Sequence, residues 1–115
     1  MTNIYPLQPL RIHAGWRIEF NDFTEYDLAL HDESDVIELK EDMLQLSFGY
    51  MDSFTNIIID LGWYPEFDAN GHYRMVMIKD YDWETPLEEI TTKSKSKIVS
   101  LLEEWTCYEY ISNHL

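Results

Sequence analysis

Between Met43 and Lys79 the apolar side chains recur at every second position through three successive stretches, and that period builds strands, not helices. Leu44, Leu46, Phe48 and Tyr50 alternate with Gln45, Ser47 and Gly49, the pattern of a strand with one buried face. Met51 to Ser53 then turns the chain. Phe54 to Trp63 carries the run Ile57-Ile58-Ile59, apolar on both faces, which places this strand in the middle of a sheet covered on two sides. After a break at Trp63-Tyr64-Pro65, Asp68-Ala69-Asn70-Gly71 supplies residues that tolerate positive φ in a hairpin loop. The third strand, His72 to Lys79, sets Tyr73, Met75 and Met77 on one side and Arg74, Val76 and Ile78 on the other.

The flanking segments extend this meander. Pro6 and Pro9 suit an extended arm from Met1 to Gly15. Trp16 to Asn21 reads as a half-buried edge strand with Trp16, Ile18 and Phe20 facing one way. Asp22 to Asp42 holds nine acidic residues against one base, Lys40, yet its Phe23, Tyr26, Leu28, Leu30, Val36, Ile37 and Leu39 are too regular for a linker. A loop with room for one short helix or strand, pinned to the sheet by these side chains, is expected there. Leu87 to Thr92 supplies one more short strand, with Leu87 and Ile90 inward. Thr92 or Ser94 then caps a helix whose stripe runs Ile98, Leu101, Leu102, Trp105 and Cys107 or Tyr108, ending near Asn113. Lys93, Lys95 and Lys97 stand at its start, where the helix dipole disfavours cations; they either pair with the acidic loop or form a solvated basic turn. The expected fold is α+β: an antiparallel sheet of four to six strands with the C-terminal amphipathic helix packed on one face.

A length of 115 residues suits one domain, 1–115, and 45% hydrophobic residues are ample for a core. The single cysteine, Cys107, cannot form an internal disulfide. Without an apolar run of bilayer length or a basic leader, a cytoplasmic protein is the expectation. Charge excludes more than it identifies. With 22 acidic against 8 basic side chains and a net charge of −14, the chain is unsuited to nucleic acid or anionic membranes, and suited to a basic protein partner.

Motifs with fixed chemistry are missing: there is no GxGxxG, GxxxxGK[ST], GxSxG, HExxH or CxxC. His13, His31, His72 and His114 are scattered. Asp32-Glu33-Ser34-Asp35 lacks the glycine and terminal glutamate of an EF-hand loop, so a solvated acidic loop is the reading and no metal is assigned. No catalytic residue and no cofactor is expected. What remains is aromatic residues set among carboxylates, in Asp80-Tyr81-Asp82-Trp83-Glu84, around Trp63-Tyr64, and in Phe23-Thr24-Glu25-Tyr26-Asp27. Tyr and Trp anchor interfaces, and surrounding acids steer a basic partner. The candidate partner-binding residues are therefore Glu25, Asp27, Asp32, Glu33, Asp35, Asp80, Tyr81, Asp82, Trp83 and Glu84.

The opening Leu10-Arg11-Ile12-His13-Ala14-Gly15-Trp16 and Asn21-Asp22-Phe23-Thr24-Glu25, the sheet and the closing Ile98 to Trp105 helix resemble the small acidic immunity proteins that bacteria encode beside polymorphic or contact-dependent toxins. The resemblance implies a stoichiometric inhibitor that blocks the active site or substrate groove of a cognate basic protein toxin, such as a nuclease. The other readings are a housekeeping interaction or regulatory domain and a small enzyme. On the inhibitor reading, reversing Asp80, Asp82 and Glu84 to Lys abolishes protection and leaves the fold intact.

Overall fold

The computed structural model describes residues 5–49 and 56–114. Its strands are β1 (Trp16–Asn21), β2 (Leu44–Phe48), β3 (Ile57–Tyr64), β4 (His72–Lys79) and β5 (Glu88–Thr92). They form one antiparallel sheet in chain order, followed by α1 (Lys95–Thr106) and a short α2 (Tyr108–Ile111). This is the expected α+β arrangement, with five strands and the C-terminal helix on one face. The expectations for Met1 to Ile4, for Tyr50 at the end of the first meander strand, for the 51–53 turn and for the strand start at 54–55 fall outside the described residues.

Register assigns the faces. The row Leu46–Ile59–Met77 and the row Leu44–Leu61–Met75–Ile90 point to one side, where α1 contributes Ile98, Leu102 and Trp105 and α2 contributes Ile111. That face is the main core. Trp63 and Tyr73 meet edge-on within it, ring centres 4.8 Å apart. The other face carries Gln45, Asp60 and Val76 in one row and Ser47, Ile58 and Ile78 in the next. Ile58, Val76 and Ile78 are buried there as a second, smaller cluster, so the central strands are apolar on both sides, as their sequences predict.

Three local expectations are corrected. In β1, Ile18 pairs with Leu46 but Phe20 pairs with Gln45, because a bulge at Glu19 inserts one residue; Phe20 therefore turns to the face opposite Trp16 and Ile18. The helix does not continue to Asn113. Cys107 is extended (φ −64°, ψ 133°), and the carbonyl of Thr106 accepts from Trp16 Nε1 at 3.0 Å, fixing the break and leaving Tyr108 exposed. Residues 22–42 form a strap that crosses the core face with only a 3-10 turn at Glu33–Glu38. Phe23, Tyr26 and Leu39 pin it, while Leu30 (78% exposed) and Ile37 (59%) stand in solvent. Ser94 is the α1 N-cap, its hydroxyl accepting from Lys97 N–H.

The strap leaves β1 at Asn21 and returns at Leu44, the end of the sheet that holds Tyr64, His72 and Thr92. The β4–β5 connection lies at the other end, beyond Ile57 and Lys79. Eight residues of strand separate the two ends, about 26 Å.

Candidate functional site

The acidic residues singled out by sequence fall into two groups that the sheet holds apart. In the strap, the carboxylates serve the strap itself. Asp32 accepts from Ser34 N–H at 2.9 Å, which lowers its pKa and caps the 3-10 turn. Asp35 accepts the Tyr5 hydroxyl at 2.8 Å, and this bond is the main reason the Tyr5 phenol is pushed up to about 12. Asp27 accepts from Ala29 N–H, and Asp22 pairs with Lys40. Glu25 and Glu33 are exposed. The exposed apolar groups beside them, Leu30 and Ile37, are aliphatic, and no Tyr or Trp of the strap is exposed.

Of the three lysines at the helix start, Lys95 reaches into this strap. Its side chain is 6% exposed, its Nζ donates to the Thr24 carbonyl at 2.5 Å, and it lies 4.0 Å from the Phe23 ring centre. Lys93 and Lys97 are exposed and make no ion pair among the described residues. Burial drives the Lys95 amine from its ordinary 10.5 down to about 8, with Asp27 and Glu25 opposing. Between those values the unfolded chain holds a proton that folded Lys95 has released, so stability rises with pH across the window, by about 3 kcal/mol. Burial raises the phenols of Tyr73 and Tyr110, which keep their protons folded and lose them unfolded, so above pH 10 the trend reverses. Thermal melts are expected to peak near about pH 9.5, and Lys95→Met should remove the rising limb.

The second group is built differently. Lys79 to Asp82 is a two-residue turn closed by Asp82 N–H to the Lys79 carbonyl (3.1 Å), with φ 53° at Asp80 and 62° at Tyr81. Two successive positive φ values and that closing bond describe a type I′ turn, which ordinarily carries Asn-Gly. Here both residues have side chains, at a cost of about 1 kcal/mol or more each. Neighbouring groups hold the conformation. Asp80 N–H donates to the Asn56 carbonyl (2.8 Å), Asn56 N–H to Asp80 Oδ1 (3.1 Å) and Asn56 Nδ2 to the Tyr81 hydroxyl oxygen (2.7 Å). Asp82 in turn accepts from both the amide and the hydroxyl of Thr85. The turn thus presents Tyr81 (64% exposed) and Trp83 (47%) on a cross-bonded frame, with Glu84 exposed beside them.

These bonds amend the expectation that reversing Asp80, Asp82 and Glu84 leaves the fold intact. Asp80 and Asp82 hold the turn, so only Glu84 is a clean site for reversal. Sequence reading also passed over Asn56, whose role is set 24 and 25 residues away, and Asp60. A charge inside the run Ile57 to Leu61 was the signal for the latter.

A groove of about 610 Å3 at the start of α1 is lined in part by Glu25, Asp27, Lys95, Ser96, Ser100 and Glu103, and the Lys95 amine in it is already bonded to the Thr24 carbonyl. Among the described residues no three His, Cys, Asp or Glu side chains converge as a metal-binding group, and no helix is long and apolar enough to cross a membrane. Comparison with protein-family models, with curated proteins and with solved structures gave no match.

Proposed function

We propose that this chain is an immunity-type inhibitor, acting in the cytoplasm, that binds a cognate basic protein toxin and covers its active site or substrate groove. A nuclease is the toxin class that suits it best, because a surface made for phosphate accepts carboxylates in the same place. The observation that supports the reading is the strained 79–85 turn. Strained backbone persists where surrounding bonds over-determine it, and it concentrates at functional positions. Here it holds an exposed Tyr and an exposed Trp, the side chains that dominate interface hot spots, on a frame that loses little freedom on binding. The acidic surround raises the encounter rate with a basic surface and makes it salt-sensitive.

The test begins with tagged protein as bait at low and moderate salt, and continues with each captured protein expressed alone and together with this chain. A single basic protein that stops growth alone and is tolerated in co-expression is the expected result. Several weak partners, none of them toxic, would replace the inhibitor reading with that of a housekeeping binding domain. Trp83→Ala combined with Glu84→Lys should weaken capture by about 2 kcal/mol or more, some thirtyfold, while the melting temperature stays close to that of the parent.

A further inference from the structure

On the sheet face away from the helices, Phe20 of β1, Asp42 of the strap, Gln45 of β2 and Asp60 of β3 line a notch of about 210 Å3, with Met43, Leu44 and Leu61 also bordering it. Small-molecule sites start at roughly 300 Å3, so the notch is sized for one side chain. The bulge at Glu19 is what puts the Phe20 ring there, 46% exposed, instead of on the core side.

Charge in the notch is only partly offset: burial and the neighbouring Asp42 disfavour the ionised form of Asp60, while the Gln45 bond and, through space, the Arg74 guanidinium favour it. Asp60 accepts one bond, from Gln45 Nε2 at 3.1 Å to Oδ2, and makes no other among the described residues. Asp42 makes no hydrogen bond or ion pair among them. The bases of the adjoining segments form their ion pairs with other carboxylates, Lys40 with Asp22 at 2.5 Å and Arg74 with Glu89 at 2.6 Å. Two carboxylates from different elements, an amide and an aromatic ring therefore line one notch, and neither carboxylate forms an ion pair among the described residues.

We infer that this notch is a receptor for a guanidinium group, an arginine side chain of the basic partner. The planar fork bonds two carboxylates from one plane, and its flat face stacks on a phenyl ring, which the compact, strongly hydrated ammonium of lysine does less well. Asp60 is ready for such a ligand: burial has raised its pKa, which means its ionised form lacks the solvation that a bound cation restores. The inference deepens the reading of a basic protein partner and rests on it for the ligand's source. The chemistry of the notch can be tested without that partner.

The probe is L-arginine amide at millimolar concentration, with L-lysine amide as comparison, titrated into the 15N-labelled full chain and followed by amide chemical shifts. Saturable shifts centred on residues 20, 42, 45 and 60, at least fivefold weaker with lysine amide and lost in Asp60→Asn and Phe20→Ala, are expected. Asp60→Asn keeps the Gln45 bond and removes a poorly solvated charge, so it should fold; its amide spectrum verifies that. Shifts spread evenly over exposed acids such as Glu25 and Glu84, or unchanged in Asp60→Asn, would overturn the inference. Failure here with the 79–85 turn still required for capture would leave the inhibitor reading standing, and a working notch with no toxic partner would retire that reading alone.

Discussion

Gly62→Ala is expected to be the most destabilising single methyl addition in this fold, at about 3 kcal/mol. A Cβ at this position would lie 1.9 Å from the Glu41 carbonyl oxygen and 2.8 Å from its carbon. Both are backbone atoms, so no side-chain rotation relieves the overlap. The strap must lift instead, and the strap is fastened here by Trp63 N–H to the Lys40 carbonyl (2.8 Å), Phe67 N–H to the Leu39 carbonyl (2.8 Å) and Met43 N–H to the Leu61 carbonyl (3.1 Å). Each lost bond costs about 1 kcal/mol when its groups stay buried, and Leu39 and Met43, both buried, lose packing with them. A domain of this size has about 5–15 kcal/mol in all, so the midpoint in chemical denaturation should fall by a large fraction. Because the lifted segment carries Asp42, the same variant should stop binding arginine amide, while the 79–85 turn, at the far end of the sheet, keeps its spectrum. A denaturation midpoint equal to the parent's would mean that the strap does not lie against β3 as described.

The parts of this fold that could be read from sequence are those where neighbours along the chain decide the outcome. Alternation in Leu44 to Phe48 and in His72 to Lys79 reports burial on one or both faces, and the β-branched run at Ile57 to Ile59 reports a covered central strand. Each signal is local because a strand's faces are set by its own period. What escaped reading was set at a distance. The bulge at Glu19 has no glycine to mark it and shows only in the pairing of Phe20 with Gln45. The helix break at Cys107 is fixed by Trp16, some 90 residues earlier. Leu30 and Ile37 have the spacing of anchors, yet the turn closed by Leu30 N–H on the Asp27 carbonyl and the 3-10 turn at Glu33–Glu38 leave them facing outward. The site divides in the same way. Tyr81 and Trp83 among acids were visible as composition. The strain beneath them was not, since Asp-Tyr is no signature of a type I′ turn and the conformation is imposed by Asn56. The arginine notch draws single residues from four segments, so no window of sequence contains it.

Replacing the strained pair with the sequence its turn type prefers, Asp80→Asn with Tyr81→Gly, is expected to raise stability and lower binding together. Glycine occupies φ 62° at no steric cost and asparagine tolerates φ 53° well, which relieves about 1–2 kcal/mol of backbone strain. Against this stands the loss of the exposed bond from Asn56 Nδ2 to the Tyr81 hydroxyl, roughly 0.5–1 kcal/mol, whereas an asparagine Oδ1 can still accept from Asn56 N–H. The net gain is about 1 kcal/mol, or some 4 °C in melting temperature. The turn keeps its path and its Asp82 to Thr85 bonds, so Trp83 stays in place and the change at the surface is the missing phenol. Under the inhibitor reading that phenol is an anchor, and its loss should weaken partner capture by tenfold or more, about 1.4 kcal/mol. Opposite signs for the two effects are what a sequence retained for contact at the expense of stability produces. A variant that is both less stable and binds less well would show that Asn56 and Tyr81 hold the fold and that the positive φ values carry no strain worth relieving. A more stable variant with full binding would move the contact away from the turn, leaving the notch at Asp60 as the surface to test next.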